Sequence, residues 1–210
     1  MNYFFPRRAA VLVSLAAALA LGRAALAAQG SGADARRFSL ETSAWIVMNL
    51  LPDSGDFYQL TFGYRPDAKN AFFLNGITWK YRAPIAIPMT DPEFEDSSQD
   101  YPGYVRAFGL GLGYQRSIWK GLFVAAFATP FVQIFRSDED DDLGTGFQLY
   151  LQAQAGYRFE LFRGRFFVRP FLSCNWWPIN TGFPSSFREK EERWPSYYLL
   201  EPHLNFGFRF

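Results

Sequence analysis

The 210-residue chain has one cysteine, one histidine and a formal net charge of only +1. A single thiol, Cys174, excludes an internal disulfide and a thiolate metal cluster, and reads as a small apolar residue on a strand. The near-zero charge removes the electrostatic footprint of a nucleic-acid binder. Beyond the N-terminal region no segment supplies ~18 consecutive apolar residues, which excludes a transmembrane helix there. There is no glycine-rich phosphate loop. The acid run Asp138 to Asp142 comes closest to a calcium loop, but Leu143 stands where that motif needs glycine and no glutamate closes it, so a solvated loop is expected. No metal or cofactor is expected.

Aromatic residues are what the chain has in excess: 24 Phe, 11 Tyr and 6 Trp make 20% of it. A soluble domain of this size has little room to bury so many rings, whereas a protein surrounded by lipid has ample room. The N-terminus reads as a secretory signal, with Arg7 and Arg8 before the apolar stretch Ala9 to Gly22 and a cleavage site at Ala25-Leu26-Ala27. Residues 1–27 are therefore expected to be removed, 28–37 to form a Gly/Ala/Ser-rich linker, and 38–210 to form the domain.

From Phe38 onward the sequence alternates with period two, the signature of strands with one apolar face. Eight strands are expected: Phe38 to Leu50, Phe57 to Tyr64, Ala71 to Arg82, Tyr104 to Arg116, Leu122 to Phe135, Phe147 to Phe159, Arg165 to Trp177 and Tyr197 to Phe210. In the third, Phe73, Ile77, Trp79 and Tyr81 are assigned to the apolar face with Asn75 as a blemish. Tight turns alternate with longer, polar connections, and an even-stranded meander puts both termini at the tight-turn end. The fourth strand's bare face (Ala107, Gly109, Gly111, Gly113) is expected to leave volume for Phe167, Phe171 and Trp45. The expected architecture is all-β: an eight-stranded antiparallel up-and-down transmembrane β-barrel.

A soluble carrier barrel keeps its apolar face inside, and a membrane barrel turns it out. The apolar-face aromatics fall into two bands around an aliphatic belt, as the membrane–water interfaces select. Trp79, Tyr81, Tyr104, Trp176 and Tyr198 form the upper girdle; Tyr64, Tyr114, Tyr157, Phe166 and Phe210 belong to the lower one. The opposite face carries Glu41, Lys80, Gln152, Gln154, Arg158, Arg169, Glu201, His203, Asn205 and Arg209. Such groups are costly in lipid but can pair in a lumen, so a polar network plugging the barrel is expected.

With its girdles, its strand count and an alternating strand ending Phe206-x-Phe208-x-Phe210, the chain resembles the small bacterial outer-membrane barrels, such as the transmembrane domain of outer-membrane protein A and the outer-membrane protein X and W types. The resemblance implies an outer-membrane location, lipid and lipopolysaccharide as surroundings, and recognition of Phe206, Phe208 and Phe210 by the assembly machinery. A monomer without catalytic activity, in a structural or surface-interacting role, is the expectation. Two alternatives stay open. Ser173, His203 and Glu201 fall at one level of the polar face, and some barrels of this class are lipid A deacylases or palmitoyltransferases. A narrow conduit for a small solute, polar or hydrophobic, is the other.

Overall fold

The computed structural model describes residues 36–50, 56–88, 90–94 and 96–210. The expected signal peptide and most of the linker and of the Pro52–Asp56 turn lie outside the described residues. The described residues form nine strands: β1 Phe38–Ser43, β2 Tyr58–Tyr64, β3 Asn70–Tyr81, β4 Tyr104–Trp119, β5 Leu122–Arg136, β6 Asp142–Tyr157, β7 Phe159–Leu161, β8 Phe166–Thr181 and β9 Tyr197–Arg209. The short β7 continues β6 past a break at Arg158, and both pair with β8. Each strand pairs antiparallel with its neighbour, and β1 pairs with β9, closing an eight-stranded up-and-down barrel. Closure extends to the last residue, where Phe38 and Phe210 exchange backbone hydrogen bonds of 3.1 and 2.9 Å. No helix among the described residues is long and apolar enough to cross a membrane.

The tight turns have identifiable causes. Between β2 and β3, Asp67 Oδ1 accepts from the Lys69 and Asn70 amides at 2.7 and 2.8 Å, an Asx-type turn. Hydrogen bonds from Asn70 and the Lys69 amide hold its carboxyl below the usual range. Between β4 and β5, Lys120 (φ 43°) and Gly121 (φ 100°) are both left-handed, the two-residue geometry that suits a twisted hairpin. The longer connections gather at the opposite end. One of them contains a short helix, α1 (Ser185–Glu191), in a segment whose composition suggested only a polar loop.

Alternation sorts the side chains as the sequence requires over most of the wall. Leu110 and Leu112 on β4 are 63% and 69% exposed, and Leu60, Phe62, Val124, Val132, Leu172 and Leu204 also face out. Facing in, Phe73, Phe123, Phe127 and Phe171 form an apolar cluster within the lumen. The bare face of β4 makes room for different neighbours than anticipated. A Cβ at Gly109 would lie 2.6 Å from Phe131, at Gly111 2.2 Å from Thr129, and at Gly113 2.2 Å from Phe127. These β5 side chains, rather than Phe167, Phe171 and Trp45, occupy the space.

Among the described residues, three departures from simple alternation change the expected faces. β1 stops at Ser43 and Ala44–Leu50 winds into a 3-10 helix, so the expected first strand is half its length. Ser43 Oγ accepts from the Trp45 amide at 3.2 Å, which turns the chain. Asn49 then substitutes for a strand partner: its Oδ1 accepts from the Phe57 amide at 2.8 Å and its Nδ2 donates to the Phe57 carbonyl at 2.6 Å.

β3 has the reverse phase from that expected. Phe72 pairs with outward Tyr114 and Leu74 with outward Leu112, whereas Trp79 and Tyr81 pair with the fully buried Ala107 and Val105. Trp79 and Tyr81 are therefore interior residues, not members of the upper girdle, and Lys80 is on the outside. The cause is Asn75. Inward, its Oδ1 accepts from Thr61 Oγ1 at 2.8 Å and Gln59 Nε2 at 3.2 Å; outward, its amide would face an apolar belt unpaired. Lys80 lies near the strand's upper end with its Nζ 3.8 Å from the centre of the Tyr104 ring.

The third departure is a bulge in β9. Ser173 pairs with Glu201 but Asn175 pairs with Tyr198, so Leu199 and Leu200 together oppose one residue. Leu200 adopts φ 60°, and both leucines are exposed. The extra residue reverses the parity above it. Tyr197, beside Trp176, takes the outward place, and Tyr198 turns to the lumen side with Asn175. The remaining girdle residues, Tyr104, Trp176, Tyr64, Tyr114, Tyr157, Phe166 and Phe210, lie on the outward face.

Candidate functional site

The inward residues of β8 climb the lumen as a ladder: Phe167, Arg169, Phe171, Ser173, Asn175 and Trp177, all buried. Each rung organises one level. At the lowest, the Arg158 guanidinium lies 4.9 Å from the centre of the Phe167 ring and reaches Gln115 Oε1 at 3.4 Å. Arg209 is drawn away from the interior network, pairing with Glu160 at 2.6 Å near the tight turns.

The second rung is the ion pair of Arg169 and Glu41, 2.6 Å apart, both side chains essentially without solvent contact. Arg169 Nη2 also donates to Gln154 Oε1 at 2.7 Å, and Gln154 Nε2 donates to Gln152 Oε1 at 2.5 Å. The guanidinium is packed among Phe73, Phe123 and Phe171, 4.5 to 5.6 Å from their ring centres. Asn205 is buried on the same face, opposite Arg169 and Ser43 in register. Of the residues expected to form a polar network, Glu41, Gln152, Gln154 and Arg169 are thus connected. Lys80 is not, because it faces out.

The third rung holds the lone histidine. Its ring stacks on Phe171 at 4.8 Å and 11°. Ser173 Oγ and Glu201 Oε2 both lie 3.0 Å from His203 Nε2, and Asn175 Nδ2 donates to Glu201 Oε2 at 2.5 Å. The three side chains noted in the sequence do meet. Their arrangement nevertheless differs from a nucleophile relay, in which serine and carboxylate engage opposite ring nitrogens. Here both oxygens use Nε2. A proton shared from Nε2 with the Glu201 carboxylate leaves that nitrogen unable to accept the Ser173 proton.

Above this level the barrel is capped. Trp177 stacks on Tyr150 at 5.9 Å and 7°. Phe183 and Phe187, around α1, pack onto Tyr101, Val105 and Phe135, with Tyr101 and Phe187 stacked at 4.8 Å. Glu191, at the end of α1, accepts from Tyr101 Oη at 2.5 Å and Asn180 Nδ2 at 2.8 Å. Burial pushes the Glu191 carboxyl above its ordinary range, partly opposed by those hydrogen bonds. Burial and the neighbouring carboxylate push the Tyr101 phenol up. The spacing Phe183-Pro184-x-x-Phe187 was the available signal for this cap.

The acid run is held by cations. Asp138 pairs with Arg82 at 2.6 Å and Asp142 with Arg136 at 3.6 Å, while Asp140 accepts from Tyr104 Oη. No group of three or more metal-ligating side chains occurs among the described residues. Cys174 is a free, exposed thiol.

No family model matches the sequence, and no curated protein matches it. A solved structure, that of a major outer membrane protein from Thermus thermophilus, is similar over 84% of this chain and 100% of its own, with 11% identity and a TM-score of 0.47.

Proposed function

We propose that this chain is an integral outer-membrane barrel with a sealed lumen, in a structural or surface-interacting role. The observation that carries the reading is the pairing of an outward apolar belt with the inward, solvent-free ion pair Arg169–Glu41. Leucines two-thirds exposed would be a liability in water and are at home in hydrocarbon. A closed barrel also leaves few strand edges unsatisfied in lipid. The plug and the aromatic cap obstruct the lumen at two levels, which argues against a conduit. On this reading the surroundings are outer-membrane lipid and lipopolysaccharide, and Phe206, Phe208 and Phe210 form the segment that the assembly machinery recognises. The experiment is reconstitution into planar bilayers, where no unitary conductance is expected.

A second reading, acyl hydrolysis on lipid A, has one observation in its favour, the 3.0 Å approach of Ser173 Oγ to His203 Nε2. The shared ring nitrogen and the position of Ser173, 1% exposed inside the wall, weigh against it. Expression of the wild type and of Ser173→Ala should give the same lipid A acylation pattern by mass spectrometry; a wild-type-specific loss of an acyl chain would favour the second reading.

A further inference from the structure

At the tight-turn end two turns and a strand break line an open cavity of about 300 Å³ whose wall is strongly cationic. Arg65 and Lys69 come from the β2–β3 turn, Lys120 from the β4–β5 hairpin tip, and Arg158 from the break between β6 and β7. The one carboxylate in the wall, Glu160, is already engaged by Arg209 at 2.6 Å.

Arg158 is the telling residue. It is 6% exposed, yet among the described residues no carboxylate lies within ion-pair distance of it. Among the described residues the guanidinium's only hydrogen bond is the 3.4 Å approach to Gln115, and its Nε has no partner. A buried guanidinium without a counter-charge is costly, and native structures pair such groups. Burial first, and then the nearby Arg209, push the Arg65 guanidinium down to about 10, with Glu160 opposing. On the hairpin tip beside the cavity, Ile118 and Trp119 are 56% and 64% exposed, an apolar shoulder next to the cations.

We propose that this cavity binds a phosphate group, with Arg65 and Arg158 as the inner donors and Lys69 and Lys120 at the rim. Guanidinium forks match phosphate oxygens, and mobile ammonium groups add charge. The same chemistry could be supplied by a phospholipid headgroup or by free phosphate, and the apolar shoulder favours the headgroup. That preference, but not the anion site itself, rests on the barrel being membrane-embedded.

The test uses the full processed chain in zwitterionic micelles. Native mass spectrometry would compare retention of phosphatidylglycerol with phosphatidylcholine, and calorimetry would titrate inorganic phosphate. Preferential retention of phosphatidylglycerol supports the headgroup, and saturable binding of phosphate alone supports the soluble anion. In either case Lys69→Gln with Lys120→Gln should weaken binding about tenfold while a control at the other end, Lys190→Gln, leaves it unchanged. Both variants should keep heat-modifiable migration on gels, which separates loss of the site from loss of the barrel. Absence of binding to either probe by the wild type, or equal weakening by Lys190→Gln, would overturn the proposal.

Discussion

Arg169 on β8 reaches over β9 to place its Nη1 2.6 Å from Oε1 of Glu41 on β1. The strand it crosses carries Gly207, where a Cβ would sit 2.7 Å from both Glu41 Cβ and the Phe167 ring. The bare glycine leaves room for Glu41 and Phe167 to pack against this strand. Through Gln154 the same guanidinium is tied to β6, so one side chain braces the wall on both sides of β8.

The pair should therefore behave as a unit. Glu41→Ala leaves a buried, uncompensated guanidinium and should cost about 3–5 kcal/mol. Glu41→Leu combined with Arg169→Met should recover most of that loss, because the surrounding wall is already Phe73, Phe123 and Phe171. Urea unfolding in vesicles, followed by tryptophan fluorescence, gives both numbers. A double variant as weak as the single one would show that the pair is not coupled.

The 3-10 segment after β1 depends on Asn49. Asn49→Ala removes both bonds to the Phe57 backbone and should cost about 1–3 kcal/mol. Hydrogen exchange should speed up at Phe57 and leave the centres of β4 and β5 protected. Unchanged exchange at Phe57 would mean that some other group holds the segment.

A Cβ at Gly113 has no free space, because the Phe127 ring that it would strike is itself stacked on Phe73 at 5.6 Å. Gly113→Ala should destabilise the barrel by about 1–3 kcal/mol through overpacking. Gly144→Ala is the comparison: its Cβ meets nothing within 4 Å, although φ 126° adds local strain. A lower unfolding midpoint for Gly113→Ala, together with slower appearance of the heat-modifiable band, checks the effect.

The cap should respond to pH through Glu191. Burial raises its folded pKa above the ordinary 4.5, so the folded cap holds the proton more tightly than the unfolded segment does. The stabilisation linked to this proton is fully present below the ordinary value and is lost as pH rises through the raised one. Protease cutting near α1 should therefore increase as pH rises through that window. Glu191→Gln should flatten the dependence, and an unaltered pH profile in that variant would exclude Glu191 as its source.

Much of this architecture was legible in the sequence, and the failures share a cause. β6 alternates cleanly with Gln148 and Gln152 on the inner face, and β5, apolar on both faces, is phased by Thr129 and Gln133, both buried. In β3 both faces carry large apolar residues, so period two was visible but its phase was not. Asn75, set aside as a blemish, was the marker. Phase was lost again at Leu199–Leu200, where two adjacent leucines conceal a bulge that sends Tyr198 inward. In β1 alternation continues on paper through Leu50, but the Asn49 side chain competes with the strand ladder. The Ser173, His203 and Glu201 cluster was readable as a juxtaposition; the ring nitrogen that both oxygens share was not, since strand register does not fix side-chain rotation.

The central claim is a membrane-embedded barrel with an obstructed lumen, and single-channel recording in planar bilayers tests it most directly. Insertion would be confirmed by heat-modifiable, protease-protected protein recovered from the same preparation. The account predicts a baseline indistinguishable from the bare bilayer for the wild type. Reproducible unitary conductance steps from inserted wild-type protein would contradict it.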